Sequence, residues 1–235
     1  IMISTRVSLQ WNDDAPEELT STMAMTSRNN HFVDLRVYKK NYPYHPQQPE
    51  PFIEDVFQWV MCGIEHPIEG TGKIKFVTTI DSSSIAPAIK LGGPVVPGPP
   101  DIGDFSDIEG SLDRKEVGEM MSPDTGKLES YVEIWRSLDA ENHTPETEVR
   151  EGANKDDVEC KVLEVVEDET YHGKLIQLGN WLQGIVHNKK NNDLHVIRAF
   201  KEADGWREMI GYGNTEFFPL DSELKRAEVE WKRIE

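Results

Sequence analysis

Apolar and polar residues alternate along most of this chain, and a period of two predicts strands rather than helices. Segments 6–11, 21–26, 31–38, 55–64 and 73–81 show it in quick succession. It resumes at 115–121, 128–138, 158–166, 174–187, 194–200 and 206–212. Segment 224–234 is short enough to read either way, but Val229 and Trp231 alternate with Glu228, Glu230 and Lys232, which favours a closing strand. Most connections are hairpin-length, at 122–126, 188–193 and 203–205. In the first of these Pro123 presets φ and Gly126 supplies a left-handed residue. Phe217-Phe218-Pro219-Leu220 reads as an apolar plug or a 3₁₀ turn.

Two segments break the pattern. Residues 86–110 are rich in Pro, Gly and Asp and read as a long loop that cannot hold a ladder. Residues 139–157 are polar and acidic and read as a second loop. The sum is an all-β fold of about 11–12 strands with little helix, in hairpin order. An antiparallel, lipocalin-like (calycin-type) barrel fits, because closure removes exposed sheet edges. The chain reads as a single β-barrel domain over residues 1–235, with a two-half organisation about a break at 86–110 as the alternative.

Segment 173–186 sharpens the picture. Read as one strand, it sets Ile176, Leu178, Leu182 and Val186 on one face and Gln177, Trp181 and Gln183 on the other, with Gly179 between them. A Trp and two Gln beside strand glycines suit a curved sheet with an aromatic, partly polar interior.

Charge narrows the partners. The net charge is −18, from 43 acidic and 25 basic residues. This argues against nucleic acid and against an anionic membrane surface. No run of 18 or more apolar residues marks a membrane span. Two distant cysteines, Cys62 and Cys160, read as reduced thiols of a cytoplasmic protein. The seven histidines make no pair at metal-ligand spacing, and no nucleotide-binding or hydrolase motif is present, so neither metal nor cofactor is expected.

Three constellations carry candidate chemistry. Asp34 and Arg36 share a face with Phe32 and Tyr38; they are either a solvated ion pair or a charge pair inside the barrel. Tyr131, Glu133 and Trp135 share a face; turned inward, Glu133 is a carboxylate between rings whose desolvation raises its pKa. Phe57, Trp59 and Met61 form an aromatic and methionine stripe, core or pocket. The expected catalytic groups are therefore Glu133, Tyr131 and Arg36. The expected ligand-binding groups are Asp34, Phe57, Trp59, Met61, Trp135, Gln177, Trp181, Gln183 and Arg198. Arg36 or Arg198 is the expected partner of Glu133, and Trp59, Trp135 and Trp181 are expected to meet in one interior space.

These segments together resemble the fungal Hri family. The residues that carry the resemblance are 31–36, 59–63, 131–136, Gly179-Asn180-Trp181-Leu182-Gln183-Gly184 and 196–198. The family is named for a yeast protein described as a casein-kinase interactor. The resemblance implies a lipocalin-like barrel and transfers no catalytic residue. The chain departs from it in the 86–110 loop and in lacking a Trp early in 76–81. A weaker analogy links such barrels to cofactor-free fungal pericyclases, including hetero-Diels–Alder enzymes.

The expected function is a small-molecule-binding barrel acting as a cofactor-free cyclase, isomerase or pericyclase on an apolar, oxygenated natural-product intermediate. The alternative is a non-enzymatic cytosolic adaptor of the Hri kind. The expected partner is an apolar small molecule, with a homodimer left open.

Overall fold

A computed structural model describes residues 1–122, 124–149 and 157–235. Among the described residues strands make up 52% and helix 9%, the all-β balance that the alternation implies. Fifteen strands among the described residues form two sheets. Among the described residues no helix is long and apolar enough to cross a membrane.

The first sheet is a closed antiparallel barrel of the lipocalin-like kind. Its strands are β1 (Met2–Trp11), β2 (Thr20–Thr26), β3 (His31–Tyr38), β4 (Phe57–Pro67), β5 (Lys73–Asp81), β6 (Asp101–Asp107), β7 (Arg114–Met121) and β8 (Leu128–Ser137). They pair in chain order, and β8 returns to β1 to close the ring. Helix α1 (Ile53–Val56) precedes β4, and helix α2 (Ser82–Leu91) follows β5. Segment 86–110, expected to be loop throughout, therefore holds the end of α2 and all of β6. Asp81 caps α2 by accepting from the Ser83 N–H, and Gly92 ends it in the left-handed region at φ 68°. That capping outweighs the Pro87 that made the segment look unable to order.

The second sheet is an open half-barrel. It holds β9 (Cys160–Val165), β10 (Tyr171–Leu178), β11 (Trp181–Asn188), β12 (Leu194–Glu202), β13 (Gly205–Tyr212), β14 (Lys225–Arg226) and β15 (Val229–Arg233). Its order is β13-β12-β11-β10-β9-β15-β14. The two sheets part between Ser137 and Cys160, not within 86–110. Pro123 and residues 150–156, which belong to the expected turn and acidic loop, lie outside the described residues.

Segment 174–187, read as one strand, is a hairpin. Gly179 takes φ 54°, and Leu178 pairs directly with Trp181 across the Gly179-Asn180 turn. A Cβ at Gly179 would lie 2.6 Å from the Ala140 carbonyl oxygen, so the turn needs glycine twice over. The reversal cancels the parity that put Gln177 with Trp181 and Gln183.

One apolar cluster joins the sheets. Val33, Leu35 and Val37 point out of the barrel and pack with Val162, Ile176, Ile185 and Val196 of the half-barrel. The far face of the half-barrel has its own core, filled by Phe217 and Phe218 against Leu175, Leu182 and Trp231. Trp231 Nε1 donates to the Phe217 carbonyl at 2.7 Å, which locks this plug in place. Phe217 and Phe218 thus fill this face of the half-barrel, and the cavities described below lie in the closed barrel.

Candidate functional site

The barrel inverts the usual arrangement. Its outer face carries the apolar core, so the alternate residues, many of them polar, must face the lumen. On β3 that set is Phe32, Asp34 and Arg36; on β8 it is Tyr131, Glu133 and Trp135. A cavity of about 290 Å³ lies between them.

The charged groups at the centre of this lumen are paired. Arg36 Nη2 donates to Asp34 at 2.9 Å, and Arg36 Nη1 to Glu133 at 3.2 Å. Arg6 donates to the same Glu133 oxygen at 2.8 Å, to Glu18 at 3.0 Å and to Gln58 at 2.6 Å. The Arg36 guanidinium lies 4.9 Å from the Trp59 ring centre and 5.6 Å from that of Trp135. Rings on either side favour the cation while excluding water from it. Asp34 and Arg36 are therefore an interior ion pair rather than a solvated one.

Glu116 completes the layer. It stands opposite Glu133 across β7 and β8. Tyr131 Oη donates to one of its oxygens at 2.9 Å and Trp135 Nε1 to the other at 2.8 Å. Burial, and then the Glu133 charge beside it, push the Glu116 carboxyl far above its ordinary range. Burial also opposes ionisation of Glu133, but Arg36 and Arg6 outweigh it and hold that carboxyl below its ordinary range. The layer thus sets a carboxyl with raised proton affinity beside one held ionised by two guanidinium groups. The expected direction for Glu133 is corrected: two guanidinium groups reverse the effect of desolvation, and the raised pKa belongs to Glu116. Space for Glu116 is made by Gly103 on β6, where a Cβ would lie 2.1 Å from its Oε1.

Two further carboxyls face the cavity. Burial pushes Glu65 up to about 7, partly offset by a hydrogen bond from Thr26. Burial pushes Asp101 up to about 6.

Of the expected residues, Asp34, Arg36, Trp59, Met61, Tyr131, Glu133 and Trp135 line this one cavity. Five do not. Phe57 packs outside the barrel against Tyr212, at 5.7 Å between ring centres. A bulge between Arg36/Trp59 and Val37/Phe57 inserts Gln58 and turns Phe57 away from the face of Trp59. Trp181 is buried beside Phe200 and His143 and donates to the His143 carbonyl at 3.0 Å, so only Trp59 and Trp135 of the three tryptophans share the lumen. Gln177 donates to the Gly179 carbonyl within its own hairpin. Gln183 and Arg198 lie between the sheets. Gln183 Nε2 donates to the Met23 carbonyl at 2.9 Å, and Arg198 donates to Gln183 at 2.7 Å and to the Leu35 carbonyl at 3.0 Å. They fasten the half-barrel to β2 and β3, so Arg198 is not a partner of Glu133. Sequence reasoning missed Arg6, Glu65, Asp101 and Glu116. Glu116 shares strand parity with Gly118 and Met120, but only the register with β8 sets it against Glu133.

Among the described residues, no group of three or more His, Cys, Asp or Glu side chains is placed to hold a metal. Both cysteines are free and buried.

Comparison with known proteins places the chain. The family model described as Protein HRI1 matches residues 2–235, so the chain belongs to the Hri family. Protein HRI1 of Lachancea thermotolerans is 23% identical over 259 residues, covering 100% of this chain and 92% of the relative. Protein HRI1 of Saccharomyces cerevisiae is 25% identical over 212 residues, covering 84% of this chain and 80% of the relative. A crystal structure of an uncharacterized Saccharomyces cerevisiae protein, YLR301w, shares the fold with a TM-score of 0.74 at 20% identity, covering 100% of this chain and 98% of that one.

Proposed function

We propose that this Hri-family barrel binds an apolar, partly oxygenated small molecule in its lumen. The observation that carries the reading is the cavity of about 290 Å³ at the level of Arg36, Glu116 and Glu133. An eight-stranded barrel is narrow enough to be filled by side chains, so open space there is a choice of sequence. Buried charge is also costly, and a purely structural core would use apolar residues of similar volume. Phe32, Phe76 and Trp59 would hold the apolar body, and the Glu116 acid would meet a ligand oxygen.

Catalysis without a cofactor extends this reading. A protonated Glu116 beside an ionised Glu133 is an acid–base pair suited to isomerisation or cyclisation, and a close-fitting lumen suits a pericyclic step that needs two groups held in register. A non-enzymatic adaptor is the second reading. It is favoured by the half-barrel, whose interior is occupied by Phe217 and Phe218.

The test is a titration of tryptophan fluorescence with N-phenyl-1-naphthylamine. Binding in the lumen gives saturable quenching of Trp59 and Trp135. Quenching that stays linear with probe, as for collisional encounter, contradicts lumen binding.

A further inference from the structure

A second cavity, of about 500 Å³, opens at the opposite end of the barrel, beneath Ser82–Ser84 of α2 and beside Pro99 and Pro100. Leu9, Trp11, Met120, Met121 and Leu128 supply apolar wall, and Trp59 and Phe76 are shared with the lumen. The methionines make this wall adaptable in shape.

Its polar lining is unbalanced. Two cations reach it, Arg6 and Arg36, and both are already paired: Arg6 with Glu18 and Glu133, Arg36 with Asp34 and Glu133. The Trp59 indole N–H is committed to Asp81 at 2.7 Å. Lys90 of α2 is paired with Glu54 at 2.7 Å. Acceptor capacity remains on Asp101, Glu119 and one oxygen of Asp81, and the other polar groups in the lining, Gln58, Thr78 and Ser84 among them, are neutral. The Asp101 carboxylate lines both cavities, and among the described residues its side chain has no hydrogen bond and no ion pair. Burial and the nearby Asp81 raise its affinity for a proton, and the Arg36 charge, already shared between Asp34 and Glu133, offsets them only in part. An anion entering here would meet these carboxylates with the arginines already occupied. A donor cation would meet an unpartnered acceptor in a partly desolvated setting.

We infer that this second cavity binds an amphipathic organic ammonium ion, its nitrogen held by the Asp101 carboxylate and its apolar body laid along Trp11, Met120 and Met121. The site goes beyond the lumen reading and names a distinct ligand chemistry.

Three probes with one chain length test it by calorimetry at pH 7.5: decylammonium, decanol and decanoate. The site predicts that decylammonium binds at least tenfold tighter than either of the others. Asp101→Asn keeps shape and removes charge, so it erases that preference while the melting temperature stays equal or rises. Decanol or decanoate binding as tightly as decylammonium overturns the inference, and so does an Asp101→Asn protein that binds decylammonium like the wild type. The rank order in the wild type decides the matter without any variant. If N-phenyl-1-naphthylamine quenches saturably while decylammonium shows no preference, the ammonium site falls and the lumen reading stands. If decylammonium shows the preference while the naphthylamine does not saturate, the lumen reading falls alone.

Discussion

Glu116 and Glu133 face each other across the β7–β8 ladder, and their surroundings shift their proton affinities in opposite directions. Glu133 has Arg6 and Arg36; Glu116 has two neutral donors, Tyr131 and Trp135. Like charges in a buried cross-strand pair cannot both persist, so the pair keeps one proton.

That asymmetry predicts unequal mutants. Glu116→Gln supplies an amide where a neutral acid already stands, and its melting temperature at pH 7 stays within a few degrees of wild type. Glu133→Gln removes the charge that two guanidinium groups share, and costs on the order of 2 kcal/mol. Thermal unfolding of the two variants side by side checks this, and equal losses would contradict it.

Glu65 predicts a pH dependence. Its folded pKa of about 7 lies above the ordinary value of 4.5. A raised carboxyl favours folding in its protonated form, so its cost is absent below about 4.5, grows as pH rises toward 7, and is complete above that. Glu65→Gln keeps an acceptor for Thr26 and removes the titration. The variant should match wild type at pH 4.5 and exceed it by about 3 kcal/mol at pH 8. Urea midpoints at the two pH values measure the difference, and a constant offset would show that Glu65 is solvated.

The filled half-barrel predicts a separation of roles. Phe218 is fully buried against Trp231 at 6.1 Å between ring centres. Phe218→Ala should cost about 3–5 kcal/mol. Below its melting temperature it should still bind N-phenyl-1-naphthylamine with wild-type affinity, because the lumen belongs to the other sheet. Loss of binding in a folded Phe218→Ala protein would place the probe in the half-barrel.

Much of this is legible in the sequence. The alternation at 31–38 and 128–138 set Asp34 with Arg36 and Tyr131 with Glu133 and Trp135, and all five line one cavity. The Phe217–Leu220 plug was also readable, as a short apolar run isolated between polar turns. Failures came where parity changed locally. The Gly179-Asn180 turn reversed a segment that alternates smoothly through it, and the Gln58 bulge turned Phe57 outward. Helix α2 was hidden by Pro87, and β6 by the Pro-rich segment before it. Glu116 and Arg6 depend on strand register, which one sequence read alone does not encode. The inside-out barrel depends on the second sheet, which makes the outer face the dry one.

The methionines test the central claim most directly, because the fold divides them. Met61 and Met120 line the lumen, while Met23 and Met25 lie in the apolar core between the sheets. With ¹³C-labelled methionine methyl groups, titration of N-phenyl-1-naphthylamine should shift the Met61 and Met120 resonances saturably and leave Met23 and Met25 in place. Shifts confined to Met23 and Met25, or no saturable shift at Met61 and Met120, would contradict a ligand site inside the barrel.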